Sequence, residues 1–340
     1  MKGGSAIGIL AVLCLGLAAV LFAACEGSPP ANPVVRFLDR QAAAQALLTD
    51  DSDRFFEQLT TLDLSLQLRT SDTSAGHAAL LAKYRTSLEA SAQSLCPSEQ
   101  RRLNELFALL FERWKALFPQ LPPPEVSVAK IDGRHYGDRV YFTRGNCIFV
   151  PAWQLAQRSD ERLRRVLAHE LLHVFGEARP SFREAGYALF GFFPLPNKPQ
   201  RLPVWLRKRA LTNPDAARYG YGIAVRDSSG RPLVAVPRIF GRVPVYGPGT
   251  RSYFDQIELR LFECVETADS LLLLDAPRPG YAPESLQGWT EQIGRNTDYV
   301  LHPEEILAEN LAMLLLKEPA ADEQGKQLLN ALRQLCAEQR

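Results

Sequence analysis

His169-Glu170-Leu171-Leu172-His173 places two imidazoles four residues apart, with a carboxylate beside the first. On an α-helix four residues make about one turn, so both rings leave one face and can reach a single metal ion, while Glu170 projects to the adjacent side. Zinc suits imidazole and carboxylate donors, and an open coordination position lets it act as a Lewis acid on a carbonyl and activate water. A glutamate at that position takes up the water's proton and returns it to the leaving amine. His169 and His173 are therefore the expected ligands of one Zn2+, and Glu170 is the expected catalytic base. The chain has only five histidines, so chance placement of two at this spacing is rare. Leu167, Ala168, Leu171, Leu172, Val174 and Phe175 make the segment apolar, where histidines without partners would be costly to bury.

The motif needs a helix, and its flanks provide one. Ser159 is an N-cap, Asp160 and Glu161 put acids in the first turn, and the spacing predicts a helix from there to Phe175 with Gly176 as its stop. Before it, Val126–Ile131, Arg139–Phe142 and Cys147–Val150 read as neighbouring strands. Earlier still, helices are expected over Arg36–Thr49, Asp53–Leu66, Gly76–Leu95 and Ser98–Phe118. In the last of these, Leu103, Leu106, Phe107, Leu110, Trp114, Leu117 and Phe118 form a core stripe that Pro122-Pro123-Pro124 ends. Residues 218–246 suggest a small hairpin around Asp227–Gly230, while 251–274 and 303–335 read as helices. The class is α+β: a small mixed sheet with the histidine helix, between helix-rich N- and C-terminal regions.

A catalytic zinc ordinarily has a third protein ligand. Glu177 lies about two turns from His169 and would converge only if the chain turned sharply at Gly176. Asp298, Glu304 and Glu305 are further candidates; Pro303 favours a helix start, so the acids that follow it lie in a first turn. The metzincin pattern H-E-x-x-H-x-x-G-x-x-H requires a last histidine where Arg179 stands, which rules out that class.

Glu305-x-x-Ala308-Glu309 resembles the E-x-x-A-D element of gluzincin metallopeptidases, with Glu309 where Asp is usual. The resemblance rests on two short motifs and the strand before the histidine helix, about 50 residues. It implies a zincin-like fold over 122–340, Glu305 as the third zinc ligand, and Glu309 accepting a hydrogen bond from a ligand histidine. It implies hydrolysis of peptide bonds, and a strand at Cys147–Val150, if it is at the sheet edge, would pair with an extended peptide. An oxyanion needs a donor besides zinc, for which Tyr299 and His302, just before the third-ligand helix, are candidates; either reads equally as a packed aromatic or an N-terminal cap. The 132 residues between His173 and Glu305 exceed the usual interval, so 178–300 would carry an insertion. Tyr141–Asn146 and Gly294–Tyr299 flank the two motifs as site loops. Two other classes fit the same residues: a zinc hydrolase of non-protein amides, and a binding or assembly protein that keeps the scaffold without turnover. Intact Glu170 speaks against the second.

The rest of the chain gives an address. Lys2, the apolar Ala6–Leu21, and Ala23-Ala24 before Cys25 read as an export signal over 1–24, and small residues before a cysteine resemble a bacterial lipobox. Cys25 would then carry lipid, with 25–35 as a tether to the membrane, 36–121 as a helical N-terminal region, and the location an extracytoplasmic cell envelope. Phe22 departs from the usual leucine. In that oxidising compartment Cys96, Cys147, Cys264 and Cys336 are consistent with two disulfides or with buried thiols. With 46% hydrophobic and 23% charged residues the composition is globular, and 39 basic against 38 acidic residues argues against a nucleic-acid partner. His77 and His135 fall in turn-like surroundings and read as surface residues.

Overall fold

The structure, a computed structural model, describes residues 35–49, 54–134, 136, 139–247, 249–250 and 253–340. The signal segment, Cys25, nearly all of the tether and His135 lie outside them. Pro33–Arg340 forms one compact unit. Val35–Phe37 is a strand (β1) where a helix is expected; the helix begins only after Asp39, whose carboxylate accepts from Ala42 N–H at 2.8 Å to cap Arg40–Leu48 (α1). The expected helix 53–66 is two, Phe55–Gln58 (α2) and Thr61–Leu68 (α3), because Thr60 and Asp63 form a capping box that starts a new one. Gly76–Ser91 (α4), Ala92–Gln93 (β2) and Pro97–Leu117 (α5) follow.

Val126–Ile131 (β3), Phe142–Arg144 (β4) and Cys147–Pro151 (β5) join β1 in a sheet ordered β1-β3-β5-β4, with β2 against the end of β3. β1 and β5 run parallel to β3, and β4 runs antiparallel to β5. Side chains alternate across this sheet: Val126, Val128, Ile148 and Val150 enter one apolar core, and Ala129, Ile131, Cys147 and Phe149 the other. Both faces are therefore covered, which accounts for the nearly unbroken apolar runs. β4, not the strand at 147–150, is the edge, so the expected edge position is corrected by one strand.

Ala152–Gln157 (α6) leads into Asp160–Ala178 (α7), N-capped by Ser159 as expected. Gly176 does not stop α7. The helix runs two residues further, and Pro180 at the start of Pro180–Leu189 (α8) marks the break. A Cβ at Gly176 would stand 3.4 Å from Glu304 Oε1, so the glycine leaves room for that carboxylate instead.

Phe192–Pro194 (β6), Gln200–Arg201 (β7), Val204–Arg209 (α9), Tyr221–Arg226 (β8) and Pro232–Gly241 (β9) come next. The β8–β9 hairpin turns at Asp227–Gly230 as expected, with Asp227 Oδ1 accepting from Ser229 N–H at 2.9 Å. The helix expected at 251–274 is corrected. Ile257–Glu266 (β10) pairs with β9 from Ile257–Gly241 to Glu263–Ala235, and Leu271–Leu273 (β11) pairs with β10 in turn. Ile257, Leu259 and Leu261 alternate with Glu258 and Arg260, a period of two that fits a strand. These strands form a second sheet, β6-β8-β9-β10-β11-β7. Trp289–Ile293 (α10), Pro303–Leu316 (α11) and Glu323–Ala337 (α12) finish the chain, giving a mixed α and β architecture compatible with α+β.

The four cysteines are unpaired thiols, which corrects the expected disulfides. Cys96 is exposed at the cap of α5, Cys264 lies on β10, and Cys147 and Cys336 are buried in different cores. No helix among the described residues is long and apolar enough to cross a membrane.

Candidate metal centre

α7 and α11 pack against each other, and their inward faces carry the polar groups that the apolar cores exclude. His169 and His173 leave one face of α7 with their Nε2 atoms 2.9 Å apart. Glu305, fully buried on the first turn of α11, brings Oε2 to 3.2 Å from His169 Nε2 and 3.6 Å from His173 Nε2. Its other oxygen is held: Asn213 Nδ2 donates to Oε1 at 2.6 Å.

The donor set and its spacing fit a zinc ion. Metal–donor bonds of about 2.0–2.2 Å at tetrahedral angles put neighbouring donors about 3.3 Å apart, and the three separations here bracket that value. Glu305 Oε2 is buried with no well-aligned hydrogen bond and has only the two ring nitrogens beside it, a place that a cation would complete. Among the described residues, His169, His173 and Glu305 form one of two groups able to hold a metal ion; Glu170, His173 and Asp215 form the other.

Both histidines are braced from behind. Glu309 Oε1 lies 2.8 Å from His169 Nδ1, and its Oε2 accepts from Arg165 at 2.8 Å. Glu304 plays the same part for His173: Nδ1 donates to Glu304 Oε1 at 3.0 Å, and the hydroxyl of Tyr187 donates to Glu304 Oε2. The hydrogen bond to Glu304 sets the tautomer of His173 with Nε2 facing inward, while Glu309 stands beside His169 Nδ1 as an ion-pair partner. Burial works against the charge on Glu309, but His169 and Arg165 outweigh it and bring its pKa down to about 2. Burial likewise opposes a charged His169, yet Glu305 and then Glu309 push that ring up to about 9. Glu309→Gln is expected to weaken zinc binding by about 10- to 100-fold, read by competition with a chelating dye; unchanged affinity would make Glu309 a partner of Arg165 alone.

Glu170 lies beside this triad, between His173 and the sheet edge. Thr143 Oγ1 on β4 donates to Glu170 Oε2 at 2.7 Å, and Thr143 N–H donates to Asp215 Oδ1 at 2.6 Å. One residue thus holds two carboxylates side by side. Burial raises the pKa of Glu170, opposed by the positive rings of His169 and His173; burial and then Glu170 push Asp215 well up.

The two proposed donors part company. The ring of Tyr299 lies 6.2 Å from that of His169. Burial, and then the negative charges of Glu305, Asp215 and Glu170, hold its hydroxyl protonated, as a donor must be. His302 is instead structural: its Nδ1 accepts from Glu304 N–H at 3.1 Å and caps α11, while Nε2 donates to the Arg218 carbonyl at 2.9 Å. Both nitrogens are spent, so it has nothing to offer a reacting group. Glu177 pairs with Arg183 at 3.0 Å, and Asp298 is exposed. His77 Nε2 approaches the Leu59 carbonyl at 2.9 Å.

Sequence reasoning missed Asn213 and Asp215. They belong to 210–220, inside the segment read as an insertion. Thr143 falls in a stretch flagged only as a loop. Asn213-Pro214-Asp215 carries a turn signal and nothing more. Its placement comes from the N-terminal helices: buried Asp63 on α3 accepts from Thr212 N–H at 3.1 Å and from the Tyr253 hydroxyl at 2.7 Å, which pins the loop against the site. Through Asp63 the helices of 36–121 hold this loop in place. No family model, curated protein or solved structure matches the chain.

Proposed function

We propose that the chain is a zinc-dependent peptidase of zincin-like fold, tethered outside the cytoplasm by lipid at Cys25. The observation that carries this reading is the buried Glu305 Oε2, with no well-aligned hydrogen bond and facing two imidazole Nε2 atoms. His169, His173 and Glu305 would hold the ion, which when bound supplies a Lewis acid for a carbonyl and for water.

The chain's own groups do the rest. Glu170 takes a proton on its carboxylate and hands it to the leaving amine, and burial raises its pKa, the direction that favours a base that must also act as an acid. Thr143 orients that carboxylate through its hydroxyl. Tyr299 offers a protonated hydroxyl to the oxyanion. Asn213 keeps Glu305 turned so that one oxygen stays free. An inactive scaffold protein would have no need for a base held in this way.

The test is a mixed peptide library incubated with zinc-loaded full-length protein, with cleavage sites read by mass spectrometry. Cleavage abolished by a chelator and restored by zinc is expected. Zinc bound at one equivalent with no cleavage across the library would overturn the peptidase reading.

A further inference from the structure

Asp215 is the carboxylate that this centre does not use. Glu309 is matched by His169 and Arg165, and Glu304 by His173 and Tyr187. A zinc dication, with neutral rings, would be balanced by Glu305 and Glu170. Asp215 then remains as a carboxyl group outside this balance. No lysine or arginine among the described residues forms an ion pair with it, although its oxygens come within 4.8 Å of ligand atoms on Glu170 and His173. Thr143 N–H donates to Oδ1, and Asp215 lines the cavity beside it.

Its location limits what can enter. β4 is the end strand of its sheet, and Thr143 pairs with β5 through neighbours on either side, so its own N–H points outward. That N–H is the donor an extended ligand would use, and Asp215 has already taken it. A chain laid along β4 therefore cannot run past Thr143 with its ladder intact. It has to end there, at a carboxylate. Beside this point a cavity of about 280 Å³ is lined by Thr143, Gly145, His173, Pro214 and Asp215 together with Phe55 from the N-terminal helices, room for a side chain rather than a continuing strand.

We propose that Asp215 determines specificity by binding the free α-ammonium of a peptide's first residue, so that the centre acts on the amino-terminal peptide bond. This rests on the metallopeptidase reading above. Asp63, through Thr212, holds the loop in register and sets the distance between this carboxylate and the metal ligands.

The test measures binding, independently of turnover. The zinc-loaded full chain is titrated by calorimetry at pH 7 with leucine hydroxamate and with N-acetyl-leucine hydroxamate; both can chelate zinc, and only the first carries an ammonium group. At least about tenfold tighter binding of the free amine is expected, falling to under about twofold in Asp215→Asn, which retains an acceptor for Thr143 N–H. Equal affinities in the parent, or a preference that survives in Asp215→Asn, would overturn the inference and leave the metal centre standing. So would loss of zinc from Asp215→Asn, which would make Asp215 a ligand. Binding of neither hydroxamate to protein holding one zinc would sink the metallopeptidase reading, and this inference with it.

Discussion

Glu170→Gln is expected to lower peptide hydrolysis by about 10²- to 10⁴-fold while zinc content stays at the parent value. The substitution is isosteric, and glutamine's amide oxygen can still accept the Thr143 hydroxyl that now sits 2.7 Å from Glu170 Oε2. The amide cannot take a proton. No ring or carboxylate of the triad is altered, because the hydrogen bond of Glu170 goes to the sheet edge and not to the Nε2 atoms that face Glu305. The measurement is initial rate against zinc stoichiometry on the same preparation. A loss below about tenfold would show that another group is the base, and Asp215, sharing Thr143 with Glu170, would be the one to replace next.

Glu305→Ala is expected to cost more than 100-fold in zinc affinity, beyond the range for removing a bracing carboxylate such as Glu309. It deletes one of three donors and leaves Asn213 Nδ2 without its 2.6 Å partner, so folding is checked by circular dichroism and Glu305→Gln is measured beside it. Glutamine restores an acceptor for Asn213 but not the charge. Zinc retained at parent affinity by both variants would remove Glu305 from the centre.

The same titration has a predicted pH dependence. In the metal-free protein His169 is pushed up to about 9, and Glu305 and Glu304 raise His173 as well, against burial. Zinc must displace those protons, so its affinity rises with pH, tenfold per unit for one displaced proton and a hundredfold for two, and flattens above the raised values. The apo fold responds with the opposite sign. The pKa of each ring is higher folded than unfolded, so the stability these contacts contribute is present in full below about 6.5 and is lost as pH rises through the folded values.

The proposed tether to a membrane turns on Cys25, outside the described residues, and is open to a direct check by mass spectrometry of the mature amino terminus.

What the sequence determined by itself is what local periodicity can encode. Ser159 and two acids start α7, and four-residue spacing puts His169 and His173 on one of its faces. Pro303 starts α11, and one helical turn separates Glu305 from Glu309, so both meet His169 once the helices pack. Glu304, weighed in the sequence as a ligand, sits on the same turn and goes to His173 Nδ1 instead. That difference of one residue is rotational and follows from how α11 is docked.

Tertiary structure alone decided the rest. Ile257–Glu266 has a strand's alternation at its start, and its pairing register along β9 is set by the tertiary structure. Which strand forms the edge depends on pairing order, and that placed Thr143 against Glu170. Asn213 and Asp215 come from a loop whose position depends on a hydrogen bond between Thr212 and Asp63, 149 residues apart. A loop has no period to read. Its side chains reach the centre only because buried groups far away in the chain hold its backbone there, and no local pattern records such a bond.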